Sequence, residues 1–80
     1  MEKAKVIDVR EPWEYMLGHV KGSVNIPMGK VPQKVEELKK MQEPLIFCCA
    51  SGNRSGQVVN YLKAQGLKNI SNGGSWRDVK

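Results

Sequence analysis

The sequence predicts an α/β sandwich built on a small, mostly parallel four-stranded sheet flanked by helices. Three observations predict it. Short β-branched or apolar runs alternate with helix-like stretches along the whole chain. Leu45-Ile-Phe-Cys48 is continuously apolar with no alternation, as befits a strand buried on both faces in a parallel sheet. The length of 80 residues leaves room for one domain, expected to span residues 1–80.

Each element has a local reason. Lys5-Val-Ile-Asp-Val9 is a short β-branched run and reads as the first strand. Pro12 suits the first position of a helix in which Trp13, Met16 and Leu17 fall at helical spacing, with Gly18 as a left-handed cap. Ser23-Val-Asn-Ile26 is a second strand, stopped by Pro27. Pro32 opens a helix whose stripe is Val31, Val35, Leu38 and Met41, and Pro44 ends it. After the Leu45–Cys48 strand and a glycine-containing loop, Gln57 to Gln65 places Val58, Val59 and Leu62 on one side of a helix capped by Gly66. Lys68-Asn-Ile-Ser71 is the last strand and Asn72-Gly-Gly74 a turn, with Trp76 expected to anchor the core behind it. Trp13 and Tyr15 read as packing or surface residues, and His19 as a turn or packing residue.

Composition narrows the function classes. The chain is 40% hydrophobic and 26% charged, which is ordinary globular composition. The longest apolar run, Leu45 to Ala50, is far short of the ~20 residues of a membrane span, so no membrane partner is expected. Thirteen basic and eight acidic residues give a net charge of +5, but the lysines are scattered or interleaved with glutamates, as in Lys34–Lys40. Without an arginine-rich stripe or an aromatic ladder, nucleic acid is not the expected partner; a small anion is. Cys48 and Cys49 are neighbours whose Cα atoms lie ~3.8 Å apart, below the ~4.4–6.8 Å of an unstrained disulfide. Only His19 could join them as a metal ligand, so neither a metal nor another cofactor is expected. Free thiols and an opening without a signal-peptide pattern point to the cytoplasm; a trimmed periplasmic form would read the same way.

The chemistry sits in Cys49-Ala-Ser-Gly-Asn-Arg-Ser55. In open α/β sheets ligands gather at the carboxyl ends of strands, beside helix N-termini. Successive backbone N–H groups in such a loop converge on one anion, and that favours thiolate over thiol. Gly52 permits the tight backbone, and Arg54 adds a permanent positive charge. No histidine is near in sequence, so activation of Cys49 has to be electrostatic. The bland alternative is a small buried hydrophobe at a strand end, and Cys48, pointing the opposite way, takes that reading.

These residues resemble a known family. Val6-Ile-Asp-Val-Arg-Glu-Pro-Trp-Glu-Tyr15, Gly18-His-Val-Lys-Gly-Ser-Val-Asn-Ile-Pro27, Cys49–Ser55 and Asn72-Gly-Gly-Ser-Trp76 resemble, in order, four signatures of the small single-domain rhodaneses. The resemblance implies a rhodanese-like three-layer sandwich and a sulfurtransferase of the thiosulfate type. Cys49 would take a sulfane sulfur from thiosulfate or a persulfide, hold it as a persulfide, and pass it to cyanide, a thiol or a sulfur-accepting protein. Ala50, Ser51, Gly52, Asn53, Arg54 and Ser55 would bind the substrate. Asp8 and Arg10, near the loop, would support it. Four residues separate Cys49 from Arg54, where the related phosphatases and arsenate reductases resemble a pattern with five; the shorter loop suits a sulfur atom rather than a tetrahedral oxyanion.

Two departures accompany the resemblance. The family's extra N-terminal edge strand and helix are missing before the Asp8 strand, which leaves a thin sheet edge for self-association to cover. Two basic positions of the thiosulfate-using members match Glu14 and Ser51, so Arg54 is expected to be the main cation and a persulfide or protein donor to suit the site better than thiosulfate. The competing reading is a noncatalytic rhodanese-like module that binds a partner or carries sulfur.

Overall fold

The computed structural model describes residues 4–79; residues 1–3 and 80, at the two ends of the expected 1–80 domain, lie outside it. Strand β1 (Lys5–Asp8), helix α1 (Pro12–Met16) and the short strand β2 (Val24–Asn25) come first. Helix α2 (Val35–Lys40), strand β3 (Leu45–Cys49), helix α3 (Asn53–Ala64) and strand β4 (Ile70–Ser75) follow. The sheet order is β2-β1-β3-β4 and every pairing is parallel. The expected α/β architecture with four parallel strands is therefore present.

The core lies on one face of the sheet. Ile7, Val9, Leu45, Phe47 and Cys49 point there and meet Val31, Leu38, Val58 and Leu62 from the helical layer. Phe47, Ile7, Val9 and Leu62 are completely buried, each contributing about 1.5–3 kcal/mol relative to exposure. The opposite face is covered more thinly. α1 buries none of its residues, and Trp13, Met16 and Leu17 are 66%, 81% and 83% exposed. Five residues are too short a helix to present a full apolar stripe to the sheet, so the spacing that marks the helix does not bury it.

Boundaries differ from expectation where tertiary contacts override local signals. The stretch Met28–Lys34 is a 3-10 segment with Pro32 inside it, and α2 begins only at Val35. Pro32 disfavours the α conformation at Val31, so the regular helix starts beyond it. Helix α3 begins at Asn53, one turn before the apolar stripe, because Gly52 at φ 97° turns the chain from strand to helix immediately. Leu17, not Gly18, caps α1, and Gly18 is extended with φ 159°. Gly66 does follow the C-cap of α3: its N–H donates to Lys63 O at 3.1 Å, and that of Leu67 to Leu62 O at 3.1 Å.

The glycine pair is not a turn. It lies within β4, where Phe47 pairs with Asn72 and Cys48 with Gly74, leaving Gly73 as the extra residue of a bulge. A Cβ on Gly73 would sit 2.7 Å from Ile46 Cγ2 and 2.8 Å from Val79 Cγ2. Close approach of the chain explains that glycine. Trp76 is half-buried at the sheet's carboxyl end and does not join the core, because its ring packs instead against Gly18 and Arg10.

One buried ion pair braces that end. Asp8, fully buried, accepts from Arg10 Nε at 2.9 and 3.1 Å, from Nη2 at 2.8 Å and from the Arg10 backbone N–H at 3.0 Å. Arg10 Nη2 also donates to Gly18 O at 2.7 Å, and Asn25 Nδ2 donates to the carbonyls of Asp8 and Arg10. Removing one member of such a pair strands the other's charge. Asp8→Ala is expected to lose about 3–5 kcal/mol in urea unfolding, and Asp8→Ala/Arg10→Met to regain part of it. That loss rivals the ~3–5 kcal/mol a core of this size supplies, so circular dichroism should show Asp8→Ala largely unfolded.

Candidate active site

Cys49 is the last residue of β3, and its sulfur meets the first turn of α3. The reversal between them takes only Ala50, Ser51 and Gly52. Gly52 N–H donates to Cys49 Sγ at 3.0 Å, and the backbone N–H and hydroxyl of Ser55 approach it at 3.4 Å each. Cys49 is fully buried beneath this crown. Burial pushes its thiol up. The Ser55 hydroxyl and the N–H groups of Ser55, Ser51 and Gly52 outweigh burial and bring it down to about 7. Cys48 has burial without donors, with Asp8 close by, and its thiol is pushed up to about 12. Two adjacent cysteines are thereby given opposite chemistries by which face of the strand they occupy.

The crown is held from β4. Asn72 Oδ1 accepts from Ser55 Oγ at 2.7 Å and from Gly74 N–H at 3.0 Å, while its Nδ2 donates to Gly52 O at 3.1 Å. Gly52 backs onto the same strand: a Cβ there would lie 3.0 Å from Gly74 Cα. From sequence, Asn72 belongs only to a turn and to the C-terminal signature, with no role at the site. Its place beside a glycine pair signals only a turn, and nothing local marks its reach to a helix 17 residues away.

The structure places the other expected site residues unevenly. Ala50 and Ser51 form the exposed rim, and Asn53, also exposed, accepts from its own helix through Gln57. Arg54 is not a free cation. Its Nη1 and Nη2 donate to Glu14 Oε1 and Oε2 at 2.8 and 3.0 Å, tying α3 to α1. The Arg54 guanidinium holds the Glu14 carboxyl down to about 2, so the pair is ionised on both sides. The cation expected at the site is thus paired with a carboxylate. Asp8 and Arg10 make no hydrogen bond to residues 50–55 among the described residues. They brace the opposite wall, where Arg10 lies 4.8 Å from the centroid of the Trp76 ring. Tyr15 and His19 stack at 3.8 Å on the far side of α1, and the Tyr15 hydroxyl donates to Ser23 O.

Between these walls lies an open cleft of about 420 Å³, lined by Arg10, Trp13, Glu14, Leu17, Ala50 and Trp76 among others. A strand-end cysteine with a depressed pKa, a crown of N–H donors and an adjoining cleft are the features that nucleophilic chemistry at a thiol requires. A family model for the rhodanese-like domain matches residues 1–78. The chain belongs to the rhodanese family. Over 70 residues it is 43% identical to YtwF of Bacillus subtilis, a protein named as a candidate sulfurtransferase, covering 88% of this chain and 67% of that one. It is 31% identical over 74 residues to the thiosulfate sulfurtransferase PspE of Escherichia coli, covering 91% of this chain and 71% of that one. A solved rhodanese structure from Escherichia coli, described with anions, matches it with a TM-score of 0.86 at 29% identity, over 96% of this chain and 92% of that one. The rhodanese fold and a kinship with sulfurtransferases are therefore established. No helix among the described residues is long and apolar enough to cross a membrane.

The site makes a pH prediction. Thiolate is the reactive form, so the rate of Cys49 alkylation should rise with pH, with a midpoint at about 7, and then level off. Ser55→Ala removes one donor and should move the midpoint upward. Peptide mapping of the label should find Cys48 unmodified below pH 9, since its thiol is pushed up to about 12.

Proposed function

We propose that this rhodanese domain is a sulfurtransferase working through a persulfide on Cys49. The Cys49 thiolate attacks the outer sulfur of a donor such as thiosulfate. A new S–S bond forms to Cys49, the donor's S–S bond breaks, and its electron pair departs with sulfite. In the second step a thiol or cyanide attacks the bound sulfur and the electron pair returns to Cys49 as thiolate. No oxidant or metal enters either step. Two half-reactions on one nucleophile imply ping-pong kinetics.

The observation that carries this reading is the donor set on the sulfur: Gly52 N–H at 3.0 Å and the two Ser55 groups at 3.4 Å. These donors suit the thiolate and, equally, the persulfide anion that replaces it. The direction of Arg54 supports sulfur transfer over phosphoryl transfer. With Nη1 and Nη2 both on Glu14, Arg54 is not free to meet a tetrahedral oxyanion over Cys49. The same pairing makes an organic persulfide or a protein donor as reasonable as thiosulfate. The full burial of Cys49 favours a second reading, a module that holds sulfur or binds a partner without turnover.

Intact-mass spectrometry separates the two. The reduced protein mixed with thiosulfate is expected to gain one sulfur atom, a gain lost in Cys49→Ser and kept in Cys48→Ser. Gain from a persulfide donor alone keeps the enzyme and changes its substrate. No gain from either donor overturns the sulfurtransferase reading in favour of the noncatalytic module.

A further inference from the structure

The chain contains three arginines, and all three meet at the carboxyl end of the sheet. Two are already neutralised. Arg10 is closed on Asp8 at 2.8 Å and Arg54 on Glu14 at 2.8 Å. The third, Arg77, is different. Its guanidinium has no ion pair and no hydrogen bond among the described residues, whose other ion pairs are Lys34–Glu37 and Lys39–Glu36. It lies 5.5 Å from the centroid of the Trp76 ring and lines the same cleft as Ala50, the residue that follows Cys49. The backbone beneath it is fixed: Arg77 N–H donates to Ser75 Oγ at 3.3 Å, and Ser75 pairs with Cys49 across the β3–β4 ladder.

We propose that Arg77 is the anion-binding residue of this cleft, holding the charged end of a small sulfur compound beside Cys49. The proposal rests on Cys49 as the site of sulfur transfer and names the substrate class: donors or acceptors bearing a carboxylate, sulfonate or thiosulfonate group. A guanidinium offers such groups paired N–H donors, and stacking on Trp76 limits its freedom before the ligand arrives. Among the described residues every other charge facing the cleft is Arg10 or Glu14, each paired within the protein. The unpaired positive charge at the mouth therefore sets the sign of the local field. Trp13 and Leu17 supply an apolar wall opposite, which an organic sulfur compound can cover and a bare inorganic anion cannot.

Two alkylating agents with the same reactive carbon test this directly. Iodoacetate is an anion and iodoacetamide is neutral, so the ratio of their rates at Cys49 reads the potential at the mouth, and the thiolate fraction cancels. In Arg77→Gln that ratio should fall about two- to fivefold, the range of an exposed ion pair. Arg77→Lys should retain most of it, Lys63→Gln at the opposite end of α3 should leave it unchanged, and added salt should close the gap between Arg77→Gln and the parent. The second readout is transfer from the sulfur-loaded protein to 3-mercaptopropionate or to cysteamine. Arg77→Gln should raise KM for the first and not the second, with kcat unchanged. An alkylation ratio indifferent to Arg77→Gln overturns the proposal. Failure of the parent protein to load sulfur would instead overturn the transfer role of Cys49, while the alkylation ratio still decides the role of Arg77.

Discussion

A three-residue reversal between strand β3 and helix α3 is the constraint on which the rest of the site depends. The sulfur of Cys49 has to lie on the core face of the strand, under the first N–H groups of the helix, with no room for an intervening loop. That demand propagates outward. Gly52 has to be glycine, both for its left-handed φ of 97° and because Gly74 Cα leaves no space for a side chain. β4 has to bulge so that Asn72 can face the crown while Gly74 passes behind it. Trp76 is then delivered to the cleft instead of the core. One short connection thus fixes a helix start, a strand irregularity and a wall of the binding site.

Electrostatically, the two arginines nearest the loop are paired with carboxylates, Arg77 alone stays open at the cleft mouth, and the Cys49 sulfur is served by dipoles. Asp8 with Arg10 and Glu14 with Arg54 are closed pairs holding structure: the first joins β1 to the Gly18 turn, the second joins α1 to α3. The second matters because α1 buries no residue of its own. Without a buried stripe, a carboxylate held by two N–H groups of Arg54 is the main tie from that helix to the helical layer. Arg54 therefore contributes to the shape of the cleft more than to its charge.

How far the sequence reveals this depends on range. Leu45–Cys49 and the following loop are legible because every signal is local: an apolar run, a cysteine, then a glycine where the chain must reverse. The opposite fates of Cys48 and Cys49 follow from strand alternation alone. Contacts that span the chain are not legible in this way. Arg54 and Glu14 are 40 residues apart, and a guanidinium beside a reactive cysteine reads as its cation until the carboxylate that claims it is located. Asn72-Gly73-Gly74 reads locally as a turn, yet it is a strand that pairs with Phe47 and Cys48 across a bulge, and its Gly73 is required because Ile46 and Val79 exclude a side chain there. Trp13, Met16 and Leu17 have the spacing of a buried face and remain exposed, since five residues of helix cannot reach across the sheet.

Neutral donors around the sulfur suit the charge history of sulfur transfer. In the proposed reaction the site would hold a thiolate before attack and a persulfide anion afterwards, so the charge on the covalent partner would not change. What changes is position, since the terminal atom moves outward by one S–S bond. A cation fixed on the sulfur itself, unlike Arg77 at the cleft mouth, would hold the departing anion against the reacting atom and slow its release. N–H groups from Gly52 and Ser55 have no such preference for a full negative charge, because they cost no counter-ion when the anion leaves. Ser55 adds an adjustable element. Its single hydroxyl proton is shared between Cys49 Sγ at 3.4 Å and Asn72 Oδ1 at 2.7 Å, so turning it toward the sulfur gives up the bond to Asn72, while the Ser55 backbone N–H stays on the sulfur side throughout. The paired arginines and the free dipoles are two sides of one arrangement: permanent charge holds the walls apart, and the reacting atom meets only groups that let it come and go.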